Sequence, residues 1–146
     1  MKKIFKLFII FILFPVLVYS LQADNKQKEL QRQNQETLDH LIMLGNAYND
    51  TTEATIREDL ERNIRFEVEH WIADNTDSII RIWQEELIEK GIETEEKTPS
   101  EILEKIKENV LAEVKECKIP EIILKTLSVQ TAETYRQLIN FGEQGK

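Results

Sequence analysis

His70 closes the run Glu67-Val68-Glu69-His70, and on a helix that three-residue interval sets a carboxylate and an imidazole on one face. Two such pairs, with two further inward glutamates, build a di-iron carboxylate centre inside a helical bundle. The chain has no second Glu-x-x-His, and its other histidine lies apart, in Leu38-Asp39-His40. A zinc or copper site improvised from His40, His70 and a carboxylate such as Glu67 is the remaining metal reading, with zinc the more general choice. With 27 acidic residues among 146, however, a glutamate three places before a histidine arises by chance. The expectation is no metal and no cofactor, with His70 a solvated helix residue.

Cys117 is the single cysteine, so no intrachain disulfide can form. It follows Val114 by three on an apolar helical stripe, close to where that helix must end. The helix dipole is negative there, and Glu113 and Glu116 stand near, against Lys115 and Lys118. A nucleophilic thiolate needs the opposite field. Cys117 is therefore expected to be a buried core residue, with an intermolecular disulfide as the alternative. Phosphate loops, Gly-x-Ser-x-Gly elbows, His-Glu-x-x-His helices and ordered Ser, His and Asp are all missing, so no catalysis is expected.

Aromatic side chains carry a different kind of chemistry. Trp71 and Trp83 continue helical apolar stripes and read as core. Phe66 falls off its stripe, between Arg65 and Glu67, and points to a partner surface or a second packing face. The helix after it has apolar residues on too many faces, Ile80 and Ile82 among them, so either it is the central helix of the bundle or part of it meets another molecule, and these two join Phe66 as candidate partner contacts. Asn49-Asp50-Thr51 has the form of a glycosylation sequon and reads more simply as a turn between helices.

The elements that hold these residues begin with a leader. Met1-Lys2-Lys3 and Lys6 precede an apolar run from Leu7 to Leu21, the pattern of a secretory signal. About 20 apolar residues are needed to span a bilayer, and this run is shorter and contains Pro15. Residues 1–23 are read as a cleaved signal peptide, with an uncleaved membrane anchor as the alternative. From Asp24 onward there are 27 acidic and 16 basic side chains, a net charge of −11. That charge and the lack of a basic cluster argue against nucleic acid and against anionic lipid, leaving the leader as the route to a membrane.

Residues 24–146 form the second domain. Apolar residues recur there at intervals of three and four, which predicts five helices: about 25–48, 51–74, 76–90, 98–117 and 120–141. Thr51 or Thr52 is the expected cap of the second and Asn75-Thr76-Asp77 that of the third. Thr98-Pro99-Ser100-Glu101 is a capping box with proline at the first helical position, and Gly91 and Pro120 mark stops. Ile92 to Lys97 reads as an acidic loop. The fold class is all-α, an antiparallel bundle of four to five amphipathic helices behind the leader. The functional expectation is an exported periplasmic or secreted protein that binds another protein, as adaptor, chaperone, inhibitor or effector, or pairs as a homodimer. The alternative is a membrane-anchored structural part of an envelope assembly.

Overall fold

A computed structural model describes the backbone of residues 2–92 and 97–144 and the side chains of residues 21–92 and 97–138. The described residues are all-α, with no strand among them. Their helices are α1 (Lys2–Asp50), α2 (Ala54–Asp74), α3 (Thr76–Glu89), α4 (Pro99–Lys115), α5 (Glu121–Thr126) and α6 (Val129–Gln144). The signal or anchor reading rests on side chains that lie outside the described residues, as does most of the acidic loop. Among the described residues no helix is long and apolar enough to cross a membrane.

The chain divides into two compact units, Met1–Gln33 and Asn34–Lys146. In the first, the side chains of residues 21–33 are exposed except for half-buried Leu30 and Gln31. Glu29 pairs with Arg32 one turn on, and the guanidinium holds its carboxyl below the usual carboxylate range.

The second unit is built on an apolar core. Residues 34–50 of α1 supply Leu38, Leu41 and Leu44; α2 adds Ile64, Val68 and Trp71; α4 adds Ile106, Val110 and Val114. Ile79 of α3, Ile123 and Leu124 of α5, Leu127 between α5 and α6, and Ala132 and Tyr135 of α6 extend it. Contact pairs fix the helix directions. Asn34 meets Asn75, His40 meets Glu67, and the Arg57 guanidinium lies 4.3 Å from the centre of the Tyr48 ring, so this part of α1 runs antiparallel to α2. Glu61 pairs with Lys115 at 2.5 Å and Glu69 with Lys107 at 3.6 Å, so α2 runs antiparallel to α4. Farther along, α3 packs on α4 and α5, and α5 on α6. The Trp71 indole N–H is buried with no acceptor among the described residues, a cost of about 1–3 kcal/mol that the packing around it must offset.

Several sequence expectations are corrected. The fifth predicted segment is two helices, because Leu127 is extended and Ser128 starts α6 anew, its hydroxyl accepting the Thr131 N–H at 3.3 Å. Neither Thr51 nor Thr52 caps α2; Glu53 holds that position with no side-chain hydrogen bond. Asn75 sits at the start of α3, but its side chain turns to Asn34 and the Trp71 carbonyl. The helical spacing of the fifth predicted segment puts Leu138 in the core with Ile123, Leu127 and Tyr135, but it is exposed. The Thr98 cap forms as expected, accepting the Glu101 N–H at 3.3 Å with Pro99 at the first helical position.

Candidate functional site

The two histidines are separated by their partners. His40 Nδ1 lies 2.9 Å from Glu67 Oε1, bridging α1 and α2, whereas His70 Nδ1 lies 3.1 Å from Asp74 Oδ2, one turn along α2. Glu67 therefore meets His40 and not His70, although His70 follows it by three. Among the described residues no three His, Cys, Asp or Glu side chains are grouped to hold a metal ion.

Cys117 is exposed, which corrects its core assignment. The α4 helix ends at Lys115, so the three-residue step from Val114 no longer follows the helical stripe. Cys117 adopts φ +59°, its N–H donates to Val114 O at 3.1 Å, and the Lys118 N–H donates to Glu113 O at 2.9 Å. This is a Schellman motif with cysteine at the left-handed position that glycine usually fills. Around the thiol stand the Gly45 carbonyl and the Asn46 and Asn49 side chains at 3.0–3.5 Å.

Asn49 does more than mark a turn. Its Nδ2 donates to the Gly45 carbonyl at 2.8 Å and to the Lys115 carbonyl at 2.7 Å. One side chain thus satisfies a carbonyl at the end of α4 that the helix itself leaves unpaired. The approach of α1 to α4 is close here: a methyl group built on Gly45 would stand 2.5 Å from the Val114 carbonyl oxygen.

The candidate partner residues fall in different settings. Phe66 is 66% exposed on the outer face of α2, and the His70 ring lies beside it at 6.3 Å between centroids. Ile80 is half-buried, and Ile82 is buried at 8%, so Ile82 is corrected to a core-facing residue at the edge of a groove. Two shallow grooves flank α3. One, of about 310 Å³, has Trp83, Leu87, Ile106 and Ile122 on its floor with Lys90 and Lys105 at its rim. The other, of about 350 Å³, lies on the α5 and α6 side and includes Ile82, Leu127 and Val129. Trp71 is in the core as expected, whereas Trp83 is half-buried in the first groove.

Titration follows burial and pairing. Burial first, then the hydrogen bond to Asp39, pushes the Tyr135 phenol up to about 12. Burial raises the Glu113 carboxyl as well, with Glu116 and Glu121 adding repulsion and Lys118 opposing it. The Lys115 ammonium holds Glu61 below the ordinary carboxylate range. These shifts attach to contacts that tie helices together and converge on no common cleft.

Sequence reasoning missed Asn34, Asn49 and Asn75. The signal for Asn34 was present: it stands seven residues before Leu41, on the same helical seam. Comparison of the chain with family models, curated proteins and solved structures gives no match to any of them.

Proposed function

We propose that this chain is an exported, non-enzymatic helical protein that acts by binding another protein. Its second unit is read as an antiparallel bundle, with the N-terminal run as the export signal. The observation that carries the binding reading is Phe66, a large aromatic side chain left two-thirds exposed on α2 while neighbouring Ile64 and Val68 are fully buried. Aromatic residues dominate the energetics of protein interfaces, and an exposed phenylalanine costs solvation that a partner would relieve. The acidic balance of the domain, −11 from Asp24 onward, favours a partner with basic groups around an apolar pocket.

A pull-down from the compartment the protein occupies, comparing the wild type with Phe66→Ala, tests this reading. Loss of a specific partner in the variant, at unchanged helicity, is the expected result; equal recovery from both removes Phe66 as the contact. A second reading keeps residues 1–23 as an anchor and makes the domain part of an envelope assembly. In that reading the exposed, glutamine-rich residues 21–33 serve as a stalk, although the run Leu7 to Leu21 is short for a span. N-terminal sequencing of the protein from cells separates the two: Met1 retained supports the anchor, and a start near Asp24 supports release.

A further inference from the structure

The buried centre of the seam between α1 and α2 is apolar except at one level, with His40–Glu67 and Arg57–Tyr48 at its exposed edge. Asn34 and Asn75 are each 3% exposed, and their side-chain amides face one another as donor and acceptor in both directions, at 2.8 and 2.9 Å. Asn75 Nδ2 also donates to the Trp71 carbonyl at 2.8 Å. That third bond fixes which end of the Asn75 amide is nitrogen, and through it the orientation of Asn34. We propose that this pair is a register lock, selecting one alignment of α1 against α2 from several that bury apolar surface almost equally well.

The need for a lock follows from the spacing. Leu38, Leu41 and Leu44 recur at three and three, and Ile64, Val68 and Trp71 at four and three. Sliding one helix by a turn puts leucine opposite valine or isoleucine again, so the hydrophobic term discriminates weakly. The amides discriminate strongly. A slip of one turn in one direction sets Leu38 against Asn75, and in the other it sets Asn34 against Trp71. Either slip breaks both bonds between the amides, leaving Asn34 unpaired and Asn75 with only the Trp71 carbonyl, and an unpaired buried amide group is penalised more than a paired one is rewarded. A buried asparagine that fixes helix register at the expense of stability is an established device in coiled coils. Here both halves of the device are on one chain, 41 residues apart.

The test uses the full chain with Cys117→Ser, so that only introduced thiols react. His40→Cys with Glu67→Cys, bridged by a short bifunctional thiol reagent, reports the native register, because those two positions face one another across the seam. Glu36→Cys or Met43→Cys, each with Glu67→Cys, reports slips of about one turn. With Asn34 and Asn75 in place, the cross-link should form in the native reporter alone. In Asn34→Leu/Asn75→Leu, helicity and the thermal midpoint should be kept or rise, while the slipped reporters gain cross-links and the native reporter loses about half or more of its yield. Asn34→Ala/Asn75→Ala, which adds no volume, should redistribute in the same sense. Cross-linking confined to the native reporter in both double variants would overturn the proposal. Loss of helicity in both would overturn it too, by making the pair a source of stability and not of selection.

Discussion

The α3 and α4 helices end in the same hydrogen-bonded turn and fill it with different residues. At the end of α3, the Gly91 N–H reaches Ile88 O at 3.1 Å, the Ile92 N–H reaches Leu87 O at 3.0 Å, and glycine takes the left-handed position at φ +66°. At the end of α4 the corresponding pairs are Cys117 with Val114 and Lys118 with Glu113, and a cysteine takes the left-handed position. Around the first turn, apolar Leu87 and Ile92 occupy the places that usually touch in this motif; around the second stand a glutamate and a lysine. The α3 end is therefore made by its own sequence. The α4 end carries a strained residue and is held from outside, by Asn49 and by the close seat against Gly45. Local sequence and tertiary contact are two routes to one backbone geometry.

The largest expected effect attacks the external support. Gly45→Ala places a methyl group against the Val114 carbonyl and should destabilise the domain by about 3 kcal/mol, read as a fall in the denaturation midpoint. An unchanged midpoint would mean that α4 is not held by this approach. Next come the two left-handed positions, where the same kind of exchange should act in opposite directions. Gly91→Ala meets no neighbour but strains the backbone and should cost about 1 kcal/mol. Cys117→Gly relieves strain and should gain about 0.5–1 kcal/mol, reduced by the thiol contacts it loses. Chemical denaturation of both variants checks the pair, and equal signs would break the comparison.

The smallest effect concerns Glu113. Burial raises its carboxyl in the folded state, so the folded chain holds that proton to a higher pH than the unfolded chain does. The ionised form therefore opposes folding at neutral pH, and the penalty fades as pH falls through the raised value. Glu113→Gln should raise the melting temperature slightly at pH 7, by a few tenths of a kcal/mol at most after solvent screening. The gain should vanish near pH 3. A gain that persists in acid would assign the effect to the helix dipole or to packing instead.

The helical elements were legible because their signals are local. Thr98-Pro99, Gly91 and the apolar steps through Ile64, Val68 and Trp71 need no knowledge of distant residues. Phe66 could be read as an outward residue for the same reason, since its position between Arg65 and Glu67 is a statement about one helix. Cys117 was misplaced because a periodic pattern does not announce where its helix stops, and one residue past Lys115 the period no longer applies. Ile82 was misplaced because α3 is packed on more than one side, so an apolar residue off its main stripe still finds cover. Local rules give Asn49 a turn, Asn75 a cap and Asn34 a place on the seam, but not the bonds these side chains make. Their partners lie 41 to 66 residues away, and an asparagine in sequence says equally turn, cap or surface.

The contacts made by residues 34–49 also bear on the order in which the chain can fold. Asn34 waits for Asn75, Asn49 for Lys115, and Asp39 for Tyr135, 96 residues later. A chain delivered from its N-terminus, whether by a ribosome or through a translocation pore, presents the buried face of this segment long before its counterparts arrive. Local helices such as α2 and α4 form early at little entropic expense, but closing the core requires nearly the whole length of the domain. Completion is thus tied to the last helix, and a chain cut short before Tyr135 leaves Asp39 without its phenol and the core without its last layer.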